Sequence, residues 1–152
     1  MFQIIEAAIN HVDCISNLEK DFFGKNDVSY EDVLLNYKTN DYIVYIVMLN
    51  SECIGYLYAN LICSELNIYN LGIKEKYRKK GYGYKLLDYT INSNKGISNI
   101  YVELRKSNLA ALNLYKKLGF EIYNERSKYY SIPTEDAILM KYRKNTNKSC
   151  LK

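Results

Sequence analysis

Apolar residues recur along this chain with two periods. Tyr42–Leu49, Cys53–Cys63 and Leu66–Ile73 are dense in β-branched and aromatic residues, which predicts three strands. Asn50-Ser51-Glu52 sits between the first two as a hairpin turn. From Asn10 to Phe23 the apolar positions Val12, Ile15, Leu18 and Phe22 fall at helical spacing, and Gly24 and Asn26 end that helix. Ser29 with Asp32 three residues on predicts an N-cap and a second helix through Tyr37. Asn40-Asp41 then turns the chain. A third helix spans Tyr84–Ile91 and stops in the polar cluster 92–96. Ser107 or Asn108 caps a fourth, through Leu118, and Gly119 stops it. Phe2–Ala7, Ser98–Leu104, Phe120–Tyr123 and Ala137–Tyr142 read as the remaining strands.

The resulting order is β-α-α-β-β-β-α-β-α-β-β, with a crossover between residues 66 and 104 and hairpins elsewhere. It predicts an α/β (α+β) fold with a mixed sheet. A single domain over 1–143 is expected, followed by a polar, basic tail at 144–152 that frays.

Between the strand at 66–73 and the helix from Tyr84 lies Tyr77-Arg78-Lys79-Lys80-Gly81-Tyr82-Gly83. Glycine lets the backbone approach a ligand and take positive φ. The first N–H groups of a helix lack intrahelical partners and carry the positive end of its dipole. A cationic turn from strand into helix therefore suits an anion. A Walker loop fails because Gly81 and Gly83 stand too close together, and a dinucleotide fingerprint fails because its third glycine position is Leu86. What remains is R-x-x-G-x-G, at Arg78, Gly81 and Gly83, either as a polyphosphate site or as a solvated basic turn.

Composition narrows the classes. With 152 residues, 48% of them hydrophobic, the chain can bury a core. A net charge of +4 fits an anionic cofactor without demanding nucleic acid, and no RNA-binding motif is present. Cys14, Cys53, Cys63 and Cys150 are scattered, which argues against a zinc site or disulfide framework and for reduced thiols in a cytoplasmic protein. No metal is expected. Neither a signal peptide nor an apolar stretch of the roughly 20 residues a membrane span needs is apparent. With 17 Tyr and no Trp, no single Tyr carries weight by itself.

Three blocks in the second half give a more specific reading. The first is Asn70-Leu71-Gly72-Ile73 with Tyr77–Gly83. The second is Val102-Glu103-Leu104-Arg105-Lys106-Ser107-Asn108, then Ala110-Ala111, then Leu114-Tyr115-Lys116-Lys117-Leu118-Gly119-Phe120. The third is Arg126-Ser127-Lys128-Tyr129-Tyr130, then Glu135-Asp136-Ala137 and Met140. Over roughly residues 66–142 the chain resembles the GNAT (Gcn5-related) N-acetyltransferases. Within them it looks like the ribosomal-protein-alanine N-acetyltransferases. It departs from that pattern with Val28 before Ser29, where an aromatic is usual, and with Lys74-Glu75 in place of an Asp-Pro pair.

The resemblance implies direct acetyl transfer from acetyl-CoA to an amine. Glu103 matches the family's general base and Tyr115 its general acid. Backbone N–H groups of Leu71, Gly72 and Ile73 would meet the acetyl and pantetheine groups, with Gly72 at a bulge. Those from Lys79, Lys80, Gly81, Tyr82, Gly83 and Tyr84 would take the pyrophosphate, with charge added by Arg78 and the lysines. Asn108 matches a side-chain contact to the cofactor. The acceptor, a protein N-terminus and most specifically that of a small-subunit ribosomal protein, would lie between the helix 29–37 and the segment 126–136, under Tyr129 and Tyr130. Other protein N-termini, a small-molecule amine, and a non-catalytic acyl-CoA-binding module are the alternatives. His11 reads as a surface residue at a helix start.

Overall fold

A computed structural model describes residues 1–24, 28–35 and 41–145. The elements are β1 (Phe2–Glu6), a 3₁₀ turn (Ile9–His11), α1 (Val12–Phe23), α2 (Tyr30–Leu35), β2 (Tyr42–Leu49), β3 (Glu52–Ile62), β4 (Glu65–Ile73), a second 3₁₀ turn (Glu75–Tyr77), α3 (Tyr82–Ser93), β5 (Asn99–Arg105), α4 (Leu109–Lys117), β6 (Glu121–Ser131) and β7 (Thr134–Arg143). The strands hydrogen-bond in the order β1-β2-β3-β4-β5-β7-β6. β4 and β5 run parallel, while β1/β2, β2/β3, β5/β7 and β6/β7 are antiparallel. This is the mixed α/β sheet that the order of elements predicts. No helix among the described residues is long and apolar enough to cross a membrane.

The chain divides into two compact units, and β4 contributes to both. The first comprises Met1–Leu61 and Tyr69–Asn94. Its β2 is apolar almost throughout because both faces are covered. Val44 and Ile46 join Ile15, Leu18, Tyr30, Val33, Tyr56 and Tyr58 in one buried cluster. Tyr45, on the alternate face, meets the edge of Tyr89 of α3 at 5.2 Å. The hairpin turns through Asn50 and Ser51, both at positive φ (49° and 69°), the conformation that a tight two-residue β-turn requires. α1 closes on Gly24 at φ 71°, whose N–H reaches the Lys20 carbonyl at 2.8 Å. His11 Nδ1 accepts from the Ala8 N–H at 2.9 Å and so closes the turn before α1. Asn26, the extension of α2 through Tyr37, Asn40 and residues 146–152 of the tail lie outside the described residues.

The second unit comprises Ile62–Ile68 and Lys95–Lys152. Along β5, Ile100, Val102 and Leu104 are buried while Glu103 is exposed, the period-2 alternation of a strand. Four parallel pairs, Glu65↔Asn99 to Ile68↔Val102, join β4 to β5. α4 ends against an aromatic stack, with Tyr115 5.0 Å from Phe120 and Phe120 5.3 Å from Tyr142. β6 is far longer than the expected Phe120–Tyr123. Residues 124–128 are polar and exposed, so no apolar alternation marks them. Backbone pairing of Asn124, Glu125 and Arg126 with β7 carries the strand into them.

Candidate active site

The first unit carries the expected cofactor loop. Gly81 is the N-cap of α3 at φ 87°, with no side-chain cap and no acidic residue in the first turn. The first intrahelical bond shown there runs from Lys85 N to Gly81 O at 3.0 Å. It leaves the N–H groups of Tyr82 and Gly83 in the orphan positions of a helix start. Lys79, just before, is also left-handed at φ 60°. Arg78, Lys79 and Lys80 are exposed and make no ion pair among the described residues. A positive, uncapped helix start fits a pyrophosphate. Arg78 has a second task, since its Nε donates to the Ile73 carbonyl at 2.8 Å and its guanidinium lies 5.8 Å from the Phe22 ring centre. It ties the loop to the end of β4.

β4 is held from two sides at Leu71–Ile73. A Cβ on Gly72 would sit 2.4 Å from Phe22 ring carbons of α1, and one on Gly55 would sit 2.6 Å from the Gly72 carbonyl oxygen. Close packing of α1 is thus a reason for glycine at 72 that sequence reading does not supply. One turn earlier on α1, the buried Glu19 accepts from Asn70 Nδ2 at 3.1 Å, and the same amide approaches the Tyr30 hydroxyl at 3.4 Å.

The 3₁₀ turn leading into the loop is fastened to the β2–β3 hairpin. Glu52 accepts from the Tyr77 hydroxyl at 2.6 Å and from Lys74 Nζ at 2.9 Å, and Lys76 Nζ lies at 3.5 Å. The Tyr77 hydrogen bond, then that from Lys74, pulls its carboxyl from 4.5 down to about 2. A carboxyl depressed on folding stabilises above its unfolded pKa and ceases to do so as pH falls through the folded value. Wild-type protein should therefore melt higher than Glu52→Gln at neutral pH. The difference should shrink between about pH 4.5 and about pH 2, as thermal melts across that window would show; a constant difference would remove Glu52 as the fastening.

The second unit carries the expected catalytic and acceptor-side residues. Glu103, exposed on β5, accepts from Arg126 Nη1 of β6 at 3.1 Å. Glu103 is the main cause that pushes the Tyr129 pKa up, because a nearby carboxylate favours the protonated hydroxyl. Tyr130 lies under Arg105, whose Cζ is 4.3 Å from the ring centre. Burial, and then the Glu103 charge, raise the Tyr130 pKa as well. Tyr115 on α4 is 3% exposed, and desolvation raises its pKa so that the phenol stays protonated. Asn108 is the N-cap of α4, its Oδ1 accepting from Ala111 N at 3.2 Å. The structure thus joins Glu103 with Tyr129 and Tyr130 in one cluster, and gives Asn108 and Tyr115 to the start and buried face of one helix.

Several residues of this cluster had no role in the sequence reading. Arg105 donates to the carbonyls of Ile132 and Pro133, both at 3.1 Å, and pairs with Glu135 at 3.3 Å. Glu135 also accepts from the Ser107 N–H just before α4. Asp136 accepts from the Lys128 N–H at 2.8 Å. Glu-Asp at 135–136 thus fastens two neighbouring turns. The visible signal is an acidic pair directly before the apolar run Ala137–Met140. Among the described residues, no group of three or more His, Cys, Asp and Glu could hold a metal ion.

Comparison with known proteins gives the family and the fold. The family model for the acetyltransferase (GNAT) family matches residues 12–120. The chain is 30% identical over 105 residues to the [ribosomal protein bS18]-alanine N-acetyltransferase of Escherichia coli K12, covering 65% of this chain and 70% of that one. The crystal structure of the Escherichia coli ribosomal-protein-S18-alanine N-acetyltransferase shares the fold, with a TM-score of 0.85 at 22% identity over 100% of this chain and 99% of that one. Arabidopsis thaliana NAA60 in complex with acetyl-CoA shares it too, at 0.84 and 18% identity over 95% and 99%. Since the family match runs from α1 through the uncapped helix start to the end of α4, the chain belongs to the GNAT acetyltransferases, enzymes that transfer an acetyl group from acetyl-CoA.

Proposed function

We infer that this protein acetylates the N-terminal α-amine of another protein, with a small-subunit ribosomal protein as acceptor. The observation that carries the reading is the exposed Glu103 carboxylate, which accepts from Arg126 at 3.1 Å where Arg126 also meets the ring of Tyr129, itself packed on Tyr130. It offers a proton acceptor next to aromatic hydroxyls suited to a peptide backbone. The name of the bacterial relative, an alanine N-acetyltransferase of ribosomal protein bS18, supports the choice of acceptor.

Acetyl-CoA brings the activated acyl group. The chain's own residues bind, orient and move protons. The first-turn N–H groups of Tyr82, Gly83 and Tyr84, with Lys79, Lys80 and Gly81, hold the pyrophosphate, and Arg78 adds charge while bracing the loop. Backbone N–H groups at Leu71–Ile73 orient the pantetheine arm like an added strand and stabilise the oxygen that gains charge. Asn108 contributes its amide at the start of α4. A peptide α-amine has a pKa of about 8, so it arrives largely as ammonium and must lose a proton before attack. Glu103 accepts that proton, directly or through a water. Tyr115 donates toward the sulfur. The leaving thiol has a pKa of about 8.5 and an ordinary phenol about 10, and burial moves Tyr115 further up. It therefore stabilises the thiolate by a hydrogen bond rather than by giving up its proton.

A panel of N-terminal peptides and small amines, incubated with labelled acetyl-CoA, tests the reading. Turnover of an Ala-initiated peptide with a free α-amine, and none once that amine is blocked, is expected. Strong turnover of a small amine with none of any peptide would overturn it.

A further inference from the structure

Glu103 is paired. Its Oε1 takes the Arg126 guanidinium at 3.1 Å, and the Arg126 Cζ lies 5.4 Å from the centre of the Tyr129 ring. A bulge in β6 follows directly after Arg126. Pairing passes from Arg126↔Ala137 to Tyr130↔Glu135, so that β6 advances four residues while β7 advances two. Lys128 takes φ 51° within the bulge and anchors its N–H on Asp136. Arg126 itself is placed before the bulge by pairing with Ala137, which also faces Arg105 on the other side, and the bulge then sets the Tyr129 ring beside it.

The guanidinium presents to Glu103 what an incoming ammonium would present, namely a positive charge and N–H donors. Both side chains are open to solvent, at 49% and 37% exposure. An ion pair so exposed is weak and exchangeable. The Tyr129 ring face also gives the displaced guanidinium a second resting place. We propose that Arg126 is a specificity-determining place-holder, covering Glu103 in the acceptor-free enzyme and yielding it to the acceptor's ammonium. The proposal rests on the reading of Glu103 given above. Its consequence is that acceptor affinity contains the cost of displacing Arg126, so that removing this guanidinium tightens acceptor binding.

Steady-state kinetics of the full chain with an Ala-initiated peptide and saturating acetyl-CoA provide the test. Arg126→Gln should lower the peptide KM about two- to fivefold, the range that exposed ion pairs span, with the acetyl-CoA KM unchanged. Arg126→Lys keeps a cation at Glu103 and should restore the wild-type peptide KM. In a Glu103→Gln background, Arg126→Gln should no longer alter the peptide KM. An unchanged or raised KM for Arg126→Gln, a fall in its kcat, or an effect that persists without Glu103 would overturn the proposal. Should Glu103→Gln leave kcat intact, the base assignment fails separately. The place-holder then still stands if the Arg126 effect vanishes in that background, and falls if it persists.

Discussion

Glu103→Gln is expected to lower kcat by about 10–10⁴-fold, the span associated with losing a general base, while leaving acetyl-CoA affinity unchanged. The substitution keeps the side chain's shape and one acceptor oxygen for Arg126. The residues assigned to the cofactor's pyrophosphate and pantetheine groups lie on β4 and α3, and Glu103 is on β5. Single-turnover rates with calorimetric titration of acetyl-CoA would separate the two effects. A rate unchanged across pH 6–9, or an affinity that falls with the rate, would remove Glu103 from the proton-accepting role.

The second large effect concerns stability and the cofactor edge together. In Gly55→Ala the new Cβ would meet the Ile73 Cδ1 at 2.5 Å and the Gly72 carbonyl oxygen at 2.6 Å. The side-chain methyl can swing aside, but the carbonyl is backbone. Forcing one carbon into packed structure costs about 1–3 kcal/mol, which corresponds to a fall in Tm of roughly 3–10 °C for a chain of this length. The backbone that must move is the Leu71–Ile73 segment, so acetyl-CoA affinity should fall along with Tm. Differential scanning calorimetry with and without acetyl-CoA would show both. A wild-type Tm would mean that the contact relaxes freely.

Strand and helix order was legible because period dominates wherever an element is buried. β2 at Tyr42–Leu49 is read to the residue, since its apolar run is bounded by Asp41 and by Asn50-Ser51. Boundaries moved where capping is done by backbone. α3 starts at Tyr82 rather than Tyr84 because the left-handed Gly81 is its N-cap without any side-chain signal. The site was legible as a set of types and spacings, but not as a set of partnerships. Nothing local to Glu103 announces Arg126, 23 residues on. Their meeting depends on both strands flanking β7. Glu52 and Tyr77 are likewise linked only by the fold.

The packing of Phe22 on Gly72 constrains how this chain can diverge. The Phe22 ring already occupies the place that a Cβ at residue 72 would take, so the two positions share one volume. A larger residue at 72 is excluded while Phe22 keeps its size, and becomes admissible only after residue 22 has shrunk. Shrinking residue 22 alone opens a cavity between α1 and β4, with the usual penalty of a large-to-small change. The same pair of substitutions is thus harmful taken singly and tolerated together. This sign epistasis ties the surface of α1 to the strand edge assigned to acetyl-CoA.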